Sequence, residues 1–256
     1  MSVTVDLGQL LASWPYDPDD NVRLVRGADG REIMQVREPL GIQQYELEGR
    51  PDGLRPHDKE SALEFYMERL TMARAQGEES EFALSPDECA ELFAEGVFYY
   101  YRYFNLFQLQ DWTRVVRDTT RNLRLFDFVN RYADREEDRT NLEQWRPYIV
   151  RMNAIARAML ELENQKPGSA LKILRETIEK IKALPEMDNA TFRFERERSQ
   201  KALEEMVAQV EKTRPVSEIE RLEAELHRAV EEQAFERAAT LRDRIRELKK
   251  KATPGV

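Results

Sequence analysis

Apolar positions alternate with polar ones over the first fifty or so residues and then recur three or four apart for the rest of the chain. The first spacing belongs to half-buried strands and the second to helices with one buried face. Ahead of both, Asp6 can cap a short helix with Leu7, Leu10, Leu11 and Trp14 on one side, stopped by Pro15 and Pro18. That helix is expected to pack back onto the body. Three strand-type runs follow, Val22 to Arg26, Arg31 to Arg37 and Ile42 to Glu48, with turn residues at 27–30, 39–41 and 49–53 between and after them. They predict a small β-meander that covers one end of the helical body; the other use of such a sheet is an open edge for an extended peptide.

From His57 the pattern is helical. Asp58 is expected to open a helix with a stripe at Ala62, Phe65/Tyr66, Arg69/Leu70 and Ala73, ending near Gly77. Ser85-Pro86-Asp87-Glu88 has the form of a capping box with proline in the first turn. The helix it starts contains Phe98, Tyr99, Tyr100, Tyr101, Tyr103, Phe104 and Phe107, leaving polar character only around Arg102 and Asn105. Such a helix should be central and contacted on most sides; the rings could otherwise line a groove. Asp111 to Tyr132 gives the next helix, and Ala133 to Thr140 reads as a polar connection. Thr140 and Glu143 have cap spacing, although Pro147 moves the start of the following helix towards Arg146. That helix carries Ile149, Met152, Ile155, Ala156 and Met159, a turn follows at 166–169, and Ala170 to Ala183 returns. Asp188 or Asn189 then opens a long helix to about Thr213, seamed by Phe192, Ala202, Leu203, Met206, Val207 and Val210. Its Arg193, Arg196 and Arg198 alternate with Glu195, Glu197, Glu204 and Glu205, which reads as a solvated face. Arg214-Pro215-Val216 breaks the pattern as a hinge.

A faint internal repeat runs through these helices. Trp112, Val115, Val116, Arg117, Asp118, Thr119 and Leu123 correspond in order to Ala170, Ile173, Leu174, Arg175, Glu176, Thr177 and Ile181. Each copy is the second helix of a pair, and over Ser85 to Leu184 the pairs resemble tetratricopeptide-type hairpins. They depart from that family in a period above the usual ~34 residues and in lacking its tryptophan-leucine-glycine-tyrosine signature. The resemblance implies stacked hairpins with a concave face; a plain helical bundle accounts for the same pattern.

The last stretch, Ser217 to Lys251, has two stripes: Ile219, Leu222, Leu226 and Ala229/Val230, then Phe235, Ala238, Leu241, Ile245 and Leu248. Glu232-Gln233-Ala234 breaks the phase between them, predicting an antiparallel helical hairpin whose stripes face each other. Ala238 and Ala239 would allow close approach. Glu218, Glu220, Glu223, Glu225, Glu231 and Glu232 crowd the first arm, while Arg237, Arg242, Arg244, Arg246, Lys249, Lys250 and Lys251 crowd the second. Each exposed cross-pair is worth only about 0.5 kcal/mol, so charge sets the pairing and the apolar seam supplies most of the stability. A two-helix unit below roughly 40 residues should want a partner, whether the rest of the chain, a second copy or a similar hairpin elsewhere.

Leu222, Leu226, Ala229, Val230, Phe235, Glu236, Ala238, Ala239, Leu241, Arg242, Asp243, Ile245 and Leu248 resemble the UVR motif, shared by bacterial excinuclease subunits B and C, some Clp-type ATPases and activators of protein arginine kinases. The resemblance implies a hairpin that docks onto other proteins, often onto another UVR hairpin, with no catalytic activity. It also implies that Phe235 anchors the turn and that Arg242 and Asp243 form a polar pair beside the seam. The rest of the chain departs from each relative. It has no phosphate-cradling G-x-x-x-x-G-K-[ST], and with Cys89 as its one cysteine it cannot supply paired C-x-x-C zinc motifs.

Composition narrows the functions. A chain of 256 residues, 41% hydrophobic and 35% charged with only 10 glycines fits a helical body with an appendage. A net charge of −9 argues against general phosphate-backbone binding. One cysteine fits a reducing cytosol, and neither a signal peptide nor a run of 18 apolar residues is seen, so a soluble cytoplasmic protein is expected. The Asp17 to Asn21 cluster lacks the glycine and glutamate of a calcium loop, since Val22 and Ala28 stand there. With only His57, His227 and Cys89, no metal site, cofactor or nucleophile pair is expected. The reading is a mainly α protein: an N-terminal helix and β-meander over 1–56, a bundle or solenoid-like body of helical hairpins over 57–213, and a C-terminal hairpin over 217–251. It is expected to be a non-catalytic adaptor whose Leu222, Leu226, Val230, Phe235, Ala238, Leu241, Arg242, Asp243, Ile245 and Leu248 dock a partner protein, another UVR hairpin or a second copy. The alternatives are an excision-repair accessory touching excinuclease subunits, or DNA through Arg242, Arg246, Lys249, Lys250 and Lys251, and a regulator of a Clp-type protease or a kinase.

Overall fold

The alternating runs form three antiparallel strands in the order β1-β2-β3, with β1 at Val22–Arg26, β2 at Glu32–Glu38 and β3 at Gly41–Glu46. In this computed structural model residues 6–213 and 218–252 are described, the side chains of 218–221, 223–224 and 249–252 excepted. The proposed hinge at 214–216 lies outside them. The chain divides into two compact units, Met1–Ala208 and Gln209–Val256.

In the first unit the central strand β2 is paired on both sides, Val22 to Val36 and Met34 to Tyr45 among others. Met34 and Val36 are buried, and with Val22, Tyr45 and Leu47 they pack on Leu106, Trp112, Val115 and Ala156. The meander therefore covers helices, as its apolar alternation requires. The preceding helix α1, Gly8–Ser13, buries none of its residues. The expected packing of its apolar side is corrected: Leu7 and Leu10 stand exposed, and the clamped residue is Trp14, whose carbonyl accepts from Arg37 Nε at 2.7 Å and whose ring lies 3.9 Å beneath Arg23. Six residues give too few turns to bury a stripe.

Helix α2, Ala62–Gln76, is capped by Ser61, whose hydroxyl accepts from Glu64 N, and ends at Gly77 in the left-handed region. Asp58, expected as the cap, sits in a separate 3-10 turn. The two first amides of α2 are taken by Glu95, which accepts from Ala62 N at 2.7 Å and Leu63 N at 3.1 Å. Glu95 belongs to α3, Pro86–Gln108, which opens with the predicted capping box of Ser85 and Glu88.

Helices α3, α4 (Trp112–Tyr132), α6 (Arg146–Glu163) and α7 (Pro167–Lys182) then pack in sequence as a ladder of antiparallel neighbours, α3 on α4, α4 on α6 and α6 on α7. Where a polar connection was expected stands a further helix, α5, Glu136–Glu143. Glu136, Glu137 and Asp138 fill its first turn, where the helix dipole favours carboxylates. Thr140 is inside it, its hydroxyl donating back to Glu136 O and Glu137 O, and so is no cap. Helix α8, Ala190–Thr213, begins where Asn189 Oδ1 accepts from Phe192 N at 3.0 Å.

The polar exceptions on α3 point inward, against expectation. Arg102 and Asn105 are buried while Val97, Tyr101 and Phe104 of the same helix are exposed. Arg102 makes a bidentate pair with Asp118 of α4 at 2.7 and 2.9 Å, and its Nη1 donates to Glu46 O and Gly49 O, both at 2.8 Å. One guanidinium thus ties two helices to the exit of β3. A buried charge is tolerated only when paired and hydrogen-bonded throughout, and this one is.

The hairpins α3–α4 and α6–α7 turn identically. Gln110 and Gln165 both sit at positive φ, 59° and 58°. Around each, the left-handed residue donates to a carbonyl three back (Gln110 to Phe107, Gln165 to Leu162) and the next residue to one five back (Asp111 to Leu106, Lys166 to Glu161). This is a Schellman turn made with glutamine instead of glycine. It sets Trp112 level with Pro167, a register three residues from the repeat read in the sequence. Three residues are most of a helical turn, so the buried faces still coincide: Thr119 and Thr177 are both buried and both donate to the carbonyl four residues back.

Candidate functional site

The second unit carries α9, Glu218–Glu231, and α10, Phe235–Ala252, paired with each other as a helical hairpin. Its turn repeats the one in the body. Gln233 is left-handed at φ 56° and donates to Val230 O at 3.1 Å, while Ala234 donates to Ala229 O at 2.8 Å. Residues 232–234 thus reverse the chain at the phase break between the stripes. A glutamine two residues before the next helix precedes Trp112, Pro167 and Phe235 alike; that recurrence is a sequence signal for the turn which stripe periodicity does not use.

The apolar seam separates into inner and outer residues. Ala229, Ala238 and Ile245 are buried, and Leu222, Leu226, Leu241 and Leu248 are half-buried. Of the pair Ala229/Val230, alanine faces in and Val230 is 51% exposed. Phe235 is 69% exposed. The motif implies that Phe235 anchors the turn; it is the first residue of α10, directly after the reversal, and its side chain stands mostly in solvent and is not buried in the α9–α10 seam. The turn is closed by its own backbone hydrogen bonds, which need no aromatic plug.

Charge follows the expected division in part. Arg237 Nη2 lies 3.9 Å from Glu225 Oε2 across the two arms, and His227 lies 3.3 Å from Glu231 along the first. Arg242 and Asp243 are 3.6 Å apart and both about three-fifths exposed, so they are a surface contact between neighbours. Such pairs contribute little, which leaves the alanine-rich seam to hold the arms together. Arg246 is exposed on α10 as well. The side chains of Lys249, Lys250 and Lys251, named as DNA contacts, lie outside the described ones.

Among the described residues no helix is long and apolar enough to cross a membrane. No curated protein and no solved structure matches the chain. Residues 217–251, which include both arms and the turn between them, match the model of the UVR family, described as the UvrB/uvrC motif.

Proposed function

We propose that the chain is a non-catalytic cytosolic adaptor whose C-terminal hairpin docks a partner protein, either one with a similar hairpin or a second copy, while the helical body positions another. One observation carries this reading. The stretch that matches the UVR model closes its own seam with Ala229, Ala238 and Ile245 and leaves Val230 and Phe235 outside it. A large aromatic side chain left mostly in water is the composition of a contact anchor, and aromatic residues dominate the energy of protein contacts. The seam itself is short and rich in alanine, which supports dependence on a partner.

The test is affinity capture from native cytosol with the full chain and with a chain ending at Arg214. A partner retained by the first and lost from the second is the expected result. The same set retained by both would move recognition to the helical body.

A second reading has the motif's own association behind it: the docked partner is an excision-repair subunit, and Arg242 and Arg246, exposed on α10, add contacts to DNA. Its direct-contact form requires a salt-dependent DNA affinity that falls when Arg242, Arg246, Lys249, Lys250 and Lys251 are neutralised. Absence of binding at low salt would remove it. A Clp-type protease or a kinase as partner would instead show changed activity when the chain is added.

A further inference from the structure

Met34 and Val36 of β2 are buried against the helices, and the alternation of a strand puts Glu38, its last residue, on the same inner face. Facing that end of the sheet is a stripe of α3, Tyr101, Phe104, Asn105 and Gln108, spaced as one side of a helix. Between sheet and helix lies an open cavity of about 420 Å3, to which Asn21 and Gln43 add further amides. That volume lies in the range of small-molecule sites.

The amide oxygens in this wall are left as acceptors. The amide nitrogen of Asn105 donates to Tyr101 O at 2.7 Å and that of Asn21 to Arg37 O at 3.2 Å, so each amide oxygen is turned away from those carbonyls. Asn105 is only 6% exposed, yet no donor among the described residues reaches its Oδ1. That oxygen is still accessible. Among the described residues the only side-chain nitrogen or oxygen atoms both shut off from solvent and without a partner are Ser199 Oγ and Oε2 of Glu195, which is buried and not on the solvated face its sequence neighbours suggest. The little surface that Asn105 keeps is therefore given to the cavity it lines.

Glu38 is the one charged residue of the wall, and its carboxylate forms no hydrogen bond or ion pair among the described residues. Its charge reaches the inner face of the sheet: burial, then the neighbouring Tyr101 and Glu38, push the Tyr45 hydroxyl up to about 12. Arg37, the residue before it, donates instead to Trp14 O and Gly41 O. A wall with a carboxylate, open amide oxygens and no basic side chain repels an anion and suits a cation that brings its own N–H groups. One carboxylate is too few for a divalent metal ion, and the described residues hold no metal-binding cluster. The rings of Tyr101 and Phe104, nearly half exposed, favour an organic cation over a hydrated one. We propose that the cavity binds a primary alkylammonium group, which donates N–H to Glu38 and to Asn105 Oδ1 and lays its alkyl chain on Tyr101 and Phe104. The proposal concerns the body alone and stands apart from docking by α9 and α10.

The probes share one pentyl chain. n-Pentylamine carries both charge and donors, 1-pentanol lacks the charge, and pentyltrimethylammonium keeps the charge without a donor. Calorimetric titration of the full chain at pH 7 should show saturable one-site binding of pentylamine, at least about tenfold tighter than of pentanol and tighter than of pentyltrimethylammonium. In Glu38→Gln, which keeps the shape and an acceptor, the preference over pentanol should vanish. The wild-type series decides by itself if that variant does not fold. Acetyl-lysine methylamide separates the two sources of the group: binding about tenfold tighter than pentylamine assigns it to a lysine of a partner protein, and equal or weaker binding assigns it to a free amine. No saturable binding of pentylamine, equal affinity for pentanol, tighter binding of pentyltrimethylammonium, or a preference that survives in folded Glu38→Gln, as the net charge of −9 alone would give, would each overturn the proposal.

Discussion

Between α3 and α4 the chain reverses through a left-handed Gln110, and between α9 and α10 through a left-handed Gln233, with the same pair of backbone hydrogen bonds at each reversal. From that common start the two hairpins diverge. Between α3 and α4 lie buried Leu92, Tyr103, Leu125 and Val129, together with the enclosed Arg102–Asp118 pair. Between α9 and α10 lie two alanines and an isoleucine, with leucines only half covered. The turn makes a hairpin in both cases. What fills the seam decides whether it can serve as a scaffold or is left with apolar surface for something else to cover.

The largest effect is expected from Asp118→Ala, which strands the Arg102 guanidinium in the body and should cost about 3–5 kcal/mol, read as a shift in the denaturation midpoint of the whole first unit. In the second hairpin Ile245→Ala should cost about 2 kcal/mol, the low end for such a truncation because the seam is thin. Its loss should be confined to α9 and α10 in hydrogen exchange. Cys89 supplies the control: it is fully buried in the body, and burial, then the charges of Asp138 and Glu88, push its thiol up to about 11. Alkylation of Cys89 at pH 8 should therefore stay slow in Ile245→Ala and become fast in Asp118→Ala at moderate denaturant. Equal labelling in the two would show that the units unfold together.

Gln233→Gly should act in the opposite sense. Removing a side chain from a left-handed position relieves roughly 1 kcal/mol of backbone cost, so the hairpin should gain up to that amount in thermal or chemical melts. Phe235→Ala should change stability least, by less than about 0.5 kcal/mol, because the ring is mostly in water. A loss of several kcal/mol there would return Phe235 to the role of a buried anchor.

How much of this was legible depended on where the deciding partner lies. The box at Ser85 and Glu88, the stop at Gly77 and the start at Asn189 rest on residues within a few positions, and all were readable. The cap of α2 was not, because Asp58 and Ser61 are both plausible locally and Glu95, from another helix, holds the amides that follow Ser61. Arg102 was legible only as a polar exception among rings, because Asp118 and the two carbonyls that enclose it come from other elements. Glu195 was misread for the same reason, since its burial is decided by neighbours across the body. In the hairpin, periodicity grouped Leu222, Leu226, Leu241, Ile245 and Leu248 on the inner side, while Phe235, in phase with them, turned out because the reversal ends just before it.

On the proposed function, the exposed Phe235 docks the partner while contributing nothing to the fold of the body. The most direct measurement compares the full wild-type chain with full-length Phe235→Glu, following both retention of the captured partner and the thermal melt. The expected result is loss of the partner with the melting of the helical body unchanged. Retention of the same partner by Phe235→Glu would contradict it.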